Sequence, residues 1–279
     1  MTGTVVASSF LARRERFASV GSTNDVVRSW LDEGVPEVCL AVTDEQTAGR
    51  GRDGRTWTAP PGAGLLLSVG FRPGWLEPER TWRLAAIVAL AMADAAEACA
   101  GLVARTIRLK WPNDLVLEDR DGTVRKLAGL LGETVGLGGD DPRAIVGLGL
   151  NADWARAGFP PEIAAQMTSL REAAGRPVDT RALLEAFVAG LDTRTIDLRA
   201  GRFDVAGWVA RQLTNGRAVR LETPDGRSSV VRALGVDDLT GGLVVDDPTA
   251  ADGQRTVMSG EIVHLRIADE AVDAPSVGV

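Results

Sequence analysis

Two apolar runs, 38–43 (VCLAVT) and 64–71 (GLLLSVGF), enclose a polar, glycine-rich stretch at 44–62. Runs of this length and content read as strands, which leaves the stretch between them as a long loop on a folded scaffold. The rest of the chain interleaves in the same manner. Residues 10–20 read as a lead-in strand. Ser22-Thr23-Asn24-Asp25 then opens an amphipathic helix carrying Val26, Val27, Trp30 and Leu31, ended by Gly34 and Pro36. Ser22 and Asp25 fit a capping box, so a plain helix N-cap is one reading of that segment. An alanine-rich helix is expected at 79–100. Short strands follow at 105–110 and 115–118, joined by the turn Pro112-Asn113-Asp114. Further strands are expected near 124–135 and 143–150, split by a glycine- and aspartate-rich turn at 136–142, and helices at 179–199 and 203–213. The pattern is α+β with a mixed or antiparallel sheet; its hairpins argue against a doubly wound parallel sheet.

From about residue 216 the texture changes. Short β runs at 217–222, 228–235, 242–245 and 255–267 alternate with turns such as Pro224-Asp225-Gly226. That spacing predicts a small C-terminal β-barrel or sandwich. The expected division is therefore 1–214 and 215–279, with the last dozen residues frayed.

Composition narrows the function. With 45% hydrophobic and 25% charged residues there is material for a core, which excludes global disorder. The longest apolar stretch, 84–93, is far short of the ~20 residues that span a bilayer. No secretory leader is visible, so a cytoplasmic, non-membrane protein is expected. Two cysteines, Cys39 and Cys99, and one histidine, His264, are too few for a disulfide framework or a Cys/His metal cage. The cysteines read as core and His264 as structural. Residues 1–220 hold 27 basic and 27 acidic side chains, whereas 221–279 hold 4 and 11, the source of the net charge of −7. A chain so balanced is not a general DNA binder, although it can hold a local anion site.

Three motifs carry chemistry. Gly49-Arg50-Gly51-Arg52-Asp53-Gly54-Arg55 alternates glycines, which expose backbone N–H groups, with permanently charged guanidinium forks. Trp57 follows, where it could stack on a planar ligand. By itself the loop is equally compatible with a solvated or RNA-binding segment. The second motif is Lys110-Trp111-Pro112-Asn113-Asp114 followed by Lys126-Leu127-Ala128-Gly129. The chain has 29 arginines and two lysines, and both lysines lie in this window. A chain that otherwise chooses arginine keeps lysine where a compact ammonium is wanted, and Asn113 and Asp114 offer oxygens for Mg²⁺ or cap a turn. Strand-edge packing is the plain alternative. The third is Gly147-Leu148-Gly149-Leu150-Asn151, glycines in a strand that admit close approach.

In order, Ser22-Thr23-Asn24, Gln46 with the GRGRDGR loop and Trp57, KWPND, KLAG and GLGLN resemble the catalytic core of biotin protein ligases. The resemblance implies a catalytic domain of the class II synthetase/biotin ligase type with a small SH3-like C-terminal barrel. It implies an ATP-dependent enzyme that makes biotinyl-5′-adenylate and transfers biotin to one lysine of a biotin carboxyl carrier domain of a biotin-dependent carboxylase. Only 21 residues precede Ser22, too few for the winged helix-turn-helix of the larger members, so a ligase without repressor function is expected. The expected state is a monomer or weak homodimer.

By resemblance, Lys126 and Arg52 are catalytic with Asp114. Ser22, Thr23, Asn24, Gln46, Arg50, Gly51, Arg52 and Lys126 hold biotin; Arg50, Arg52, Arg55, Trp57, Lys110, Asn113, Asp114 and Asn151 hold ATP or the adenylate; Mg²⁺ assists, with Asp114 as a weak candidate ligand. The glycine–arginine loop is expected to be mobile without ligand, because three like charges repel and few apolar anchors hold it. Rival readings are a lipoate or octanoate ligase or transferase, and a non-catalytic biotin or nucleotide sensor.

Overall fold

The computed structural model describes residues 10–259 and 264–267. Seven strands form the main sheet: β1 (Arg13–Phe17), β2 (Cys39–Thr43), β3 (Gly64–Phe71), β4 (Arg108–Lys110), β5 (Asp114–Glu118), β6 (Val124–Val135) and β7 (Arg143–Asn151). Their order is β1-β2-β3-β7-β6-β5-β4. β1 runs parallel to β2, and the other pairs are antiparallel. The mixed, largely antiparallel sheet expected from the hairpin pattern is present.

Strand periodicity divides this sheet into two unlike faces. Leu40 and Val42 of β2, Leu65, Leu67, Val69 and Phe71 of β3, and Val146, Leu148 and Leu150 of β7 enter one large core. That core is closed by the alanine-rich helix α2 (Trp82–Ala100), packed on α5 (Thr180–Arg199). Small alanine side chains let a 19-residue helix lie close on the strands. The opposite face carries Cys39, Ala41 and Ile145 under Val27, Trp30 and Leu31 of α1 (Thr23–Asp32). The alternation in Gly147-Leu148-Gly149-Leu150 thus sends its leucines into the core and bares its glycines on the opposite face, Gly147 beneath Asn24 of α1 and Gly149 beneath Trp57.

Ser22 takes the N-cap position of α1 in extended conformation, but its side chain makes no capping hydrogen bond. The expected capping box is absent because Asp25 is drawn instead to Arg50. Two short helices, α3 (Pro161–Ala164) and α4 (Leu170–Ala174), lie where the sequence pattern gave no element. They fall between the glycine motif and the predicted long helix. α6 (Val205–Arg211) ends the larger part, its Arg211 bound to Glu97 at 2.8 Å.

β8 (Ala218–Glu222), β9 (Ser228–Val236), β10 (Leu243–Asp246), β11 (Gln254–Val257) and β12 (His264–Ile267) form a second, antiparallel sheet in the order β11-β10-β9-β8-β12. Trp111, in the turn after β4, is buried in the core of this sheet with Val219, Leu243, Val245 and Val257, and its Nε1 donates to Gly241 O at 2.9 Å. Trp82 Nε1 likewise donates to Leu239 O. The expectations for the His264 side chain and for fraying of residues 268–279 lie outside the described residues. No described helix is long and apolar enough to cross a membrane.

Candidate active site

On the glycine-bearing face, between the start of α1, β6, β7 and the arginine loop, lies a cavity of about 250 Å³. Its neutral end is built at the α1 N-terminus. Thr23 donates from its backbone N and from Oγ1 to Gln46 Oε1 at 2.9 and 3.1 Å. Ser68, fully buried in β3, places its hydroxyl 2.7 Å from Thr23 Oγ1 and 2.6 Å from Asn24 Oδ1. One hydroxyl proton cannot serve both neighbours: with Ser68 donating to Asn24 Oδ1 it accepts from Thr23, whose proton then leaves Gln46, so the protons of the chain Asn24–Ser68–Thr23–Gln46 can re-orient to suit a ligand. Asn24 Nδ2 is buried and has no hydrogen-bond partner among the described residues. Gly147 makes room for this side chain: a Cβ there would lie 2.3 Å from Asn24 Oδ1.

The cationic end is built by β4, β5 and β6. Lys126 Nζ meets Asp114 Oδ1 at 2.6 Å, and Lys110 Nζ stands 3.8 Å from Asp114 Oδ2. A β-bulge puts Lys126 there. Val116 of β5 pairs with Lys126 while the preceding Leu115 pairs with Ala128, so Leu127 is an extra residue. Without it Lys126 would share the parity of Ala128 and Leu130, which face the core; with it the ammonium reaches the glycine face. Burial pushes the Lys110 ammonium below the usual lysine range, opposed by Asp114 and reinforced by Lys126, Arg55 and Arg266. Arg52 is lowered for the same first reason, burial.

Trp57 lines the cavity between the two ends. Gly129 and Gly149 are cross-strand partners, and the indole lies on the bare patch they make; a Cβ on Gly149 would meet Trp57 Nε1 at 2.4 Å. Lys126 Nζ stands 5.3 Å from the indole centroid. Trp57 Nε1 has no hydrogen-bond partner among the described residues.

The arginine loop makes more contacts than its composition suggests. Gly51 N donates to Arg55 O at 2.7 Å and Trp57 N to Gly49 O at 3.0 Å, closing a small hairpin whose tip holds Asp53 and Gly54 at positive φ. Carboxylates offset the like charges. Arg50 is bidentate on Asp25 at 2.8 and 2.7 Å, and Arg55 meets Asp53 at 3.2 Å. Arg52 Nη2 donates to Ser259 O, beyond β11, at 2.6 Å. These partners are distant in sequence or hidden inside the loop, which is why repulsion looked unrelieved.

Of the sequence-derived site residues, Ser22, Thr23, Asn24, Gln46, Arg50, Gly51, Arg52, Arg55, Trp57, Lys110, Asn113, Asp114 and Lys126 all line this cavity. Asn151 does not; it is 1% exposed and its Nδ2 donates to Thr168 O. Sequence reasoning missed Ser68, one hydroxyl in an apolar strand, and Ile163 and Met167, wall residues from the segment without a predicted element. A second cavity of about 320 Å³, walled by Trp82, Trp111 and Trp208, meets the first at Arg52, Lys110, Asn113 and Asp114. The donor set does not fit a resident metal. Among the described residues no three His, Cys, Asp or Glu side chains converge, and Asp114 already faces both ammonium groups.

The Biotin/lipoate A/B protein ligase family model matches residues 17–151, and the Biotin protein ligase C terminal domain model matches 214–265. A biotin--[acetyl-CoA-carboxylase] ligase of Mycobacterium tuberculosis is 34% identical over 254 residues, covering 89% of this chain and 88% of that protein. The chain belongs to the biotin protein ligase family. A second family member of the same name, from Paracoccus denitrificans, is 31% identical, with 83% and 92% covered. The fold of this family member also matches the biotin protein ligase of Aquifex aeolicus in complex with biotin and ATP, with a TM-score of 0.73 at 25% identity, covering 92% and 99% of the two chains.

Proposed function

We propose that this chain is an ATP-dependent ligase that activates biotin as biotinyl-5′-adenylate and passes it to a lysine of a biotin carboxyl carrier domain. The observation that carries this reading is the convergence of Lys110, Lys126 and Arg52 on a cavity whose neutral end is lined by Thr23, Asn24 and Gln46, with Ser68 buried behind them. A ureido ring asks for neutral donors and acceptors, and a carboxylate meeting a triphosphate asks for cations; both are present, a cavity's length apart.

In the first half-reaction a biotin carboxylate oxygen bonds to the α-phosphorus as the bond to pyrophosphate breaks. Two anions must approach, and unscreened repulsion would forbid it. Lys126 screens the carboxylate after exchanging its contact with Asp114 for one with substrate; Arg52, Arg55 and Lys110 hold the phosphates. Mg²⁺ would belong to the ATP substrate, where it would supply further charge neutralisation, since no three His, Cys, Asp or Glu side chains converge among the described residues. Trp57 and the arginine hairpin cover the mixed anhydride and keep water from it. In the second half-reaction the carrier lysine, as the free amine, attacks the acyl carbon and AMP leaves. Asp114, released from Lys126, then receives the amine's proton.

The test is direct. Purified protein with biotin, ATP and Mg²⁺ should add one biotinoyl group to an isolated carrier domain, read by mass. Binding of biotin without transfer would favour a sensor, and transfer of lipoate or octanoate instead would favour the related ligases.

Ser68→Ala checks the neutral end. It removes the hydroxyl that links Thr23 to Asn24, so the KM for biotin should rise about three- to tenfold, the worth of one neutral hydrogen bond, with kcat of adenylation nearly unchanged. An equal fall in kcat would move Ser68 to the reacting end.

A further inference from the structure

The three arginines of the loop are not equivalent. Arg50 Nη1 and Nη2 donate to the two oxygens of Asp25 at 2.8 and 2.7 Å, and Nη2 also reaches Glu133 Oε1 at 3.4 Å. The other Glu133 oxygen accepts from Arg28 Nη2 at 2.5 Å. Signs alternate along Asp25–Arg50–Glu133–Arg28, tying the hairpin to α1 twice and to β6 once. Asp25 directly follows the Thr23 and Asn24 that form the neutral end. The hydrogen bond from Arg50 is the first cause that holds the Asp25 carboxyl below the usual carboxylate range, and the same bond favours the charged form of Arg50.

An incoming carboxylate or phosphate would have to displace two resident carboxylates from Arg50 and then lie beside them, a like-charge contact that works against binding. By contrast Lys110 and Lys126 share a single carboxylate, Asp114. We propose that Asp25 and Glu133 are positioning residues whose clasp on Arg50 holds the glycine–arginine hairpin over the cavity, so that Arg50 shapes the site and leaves the substrates' anions to Arg52, Arg55 and the two lysines. This goes beyond the ligase reading and rests on it only for the kinetic readout.

The clasp is suited to opening. Its pairs are partly exposed, so each is weak alone, and they act together because Arg50 and Glu133 are shared. The clasp can therefore open to admit a ligand and close again at the cost of partly exposed pairs.

The experiment compares the full chain with Asp25→Asn, Glu133→Gln and the double variant. Tryptic cleavage after Arg52 and Arg55, followed by mass without ligand, should be about five- to tenfold faster in the double variant. In biotin-dependent pyrophosphate exchange its KM for biotin should rise by a similar factor, with kcat within about twofold. A charge swap guards against a folding artefact: Arg50→Asp alone should lose protection, and adding Asp25→Arg should restore most of it. Unchanged cleavage in the double variant, or a KM that falls because carboxylates had merely opposed anion binding, would overturn the clasp; so would a swap that restores nothing. Wild-type protein inactive in exchange would instead remove the ligase reading and leave the protease comparison standing.

Discussion

Lys126→Ala should abolish practical catalysis: biotin-dependent exchange of pyrophosphate into ATP is expected to fall by about 10³-fold in kcat or more, with the protein still folded. One transition-state donor is commonly worth about 10²–10³, and here a full charge is lost. The loss is compounded by what remains. Asp114 keeps its negative charge, Lys110 stands 3.8 Å away on its other oxygen, and the carboxylate then repels both substrates. Lys126→Ala with Asp114→Asn should therefore recover about tenfold relative to the single variant, which a purely structural role for Lys126 would not produce. Its side chain is partly exposed, so heat unfolding should change little. Near-native exchange in Lys126→Ala would remove the residue from the mechanism.

Trp111→Ala should have the largest effect on stability, about 3–5 kcal/mol, as for other buried tryptophans. The indole is 4% exposed, fills the core of the C-terminal sheet, and donates to Gly241 O. For a chain of this size the midpoint of thermal unfolding should drop by about 10 °C. Trp111→Phe, which keeps most of the ring, should lose far less. Because the segment after β11 supplies Ser259 O to Arg52, loosening this sheet should also weaken ATP use before the main sheet melts. A Trp111→Ala protein that unfolds at the wild-type temperature would show that the two sheets are held together elsewhere. In the sequence this tryptophan reads as part of a charged motif; in the molecule it is an anchor between sheets, while its neighbours Lys110 and Asp114 face the cavity.

That division recurs across the chain. The strands at 64–71 and 124–135 were legible to the residue, because apolar alternation and turn residues act locally. So was the set of motifs that meet at the cavity. Ser68 was not legible, since a single hydroxyl in GLLLSVGF carries no local sign of the Thr23 and Asn24 above it. Nor was the absence of the capping box, because Asp25 satisfies a residue 25 positions away rather than its own helix. The segment holding Ile163 and Met167 was passed over because helices of four and five residues leave too little periodicity to read.

The amino-acid sequence alone determined the strand and helix order, the α+β class, the chemistry of the motifs and the neutral charge of the larger part. Tertiary structure alone decided which face each motif serves: the extra Leu127 that turns Lys126 to the glycine face, the Gly129–Gly149 pair that seats Trp57, and the acids that hold Arg50. The physical reason is range. Propensity and periodicity are carried by neighbours along the chain, whereas register, bulges and ion pairs depend on residues that meet only after the sheet has closed.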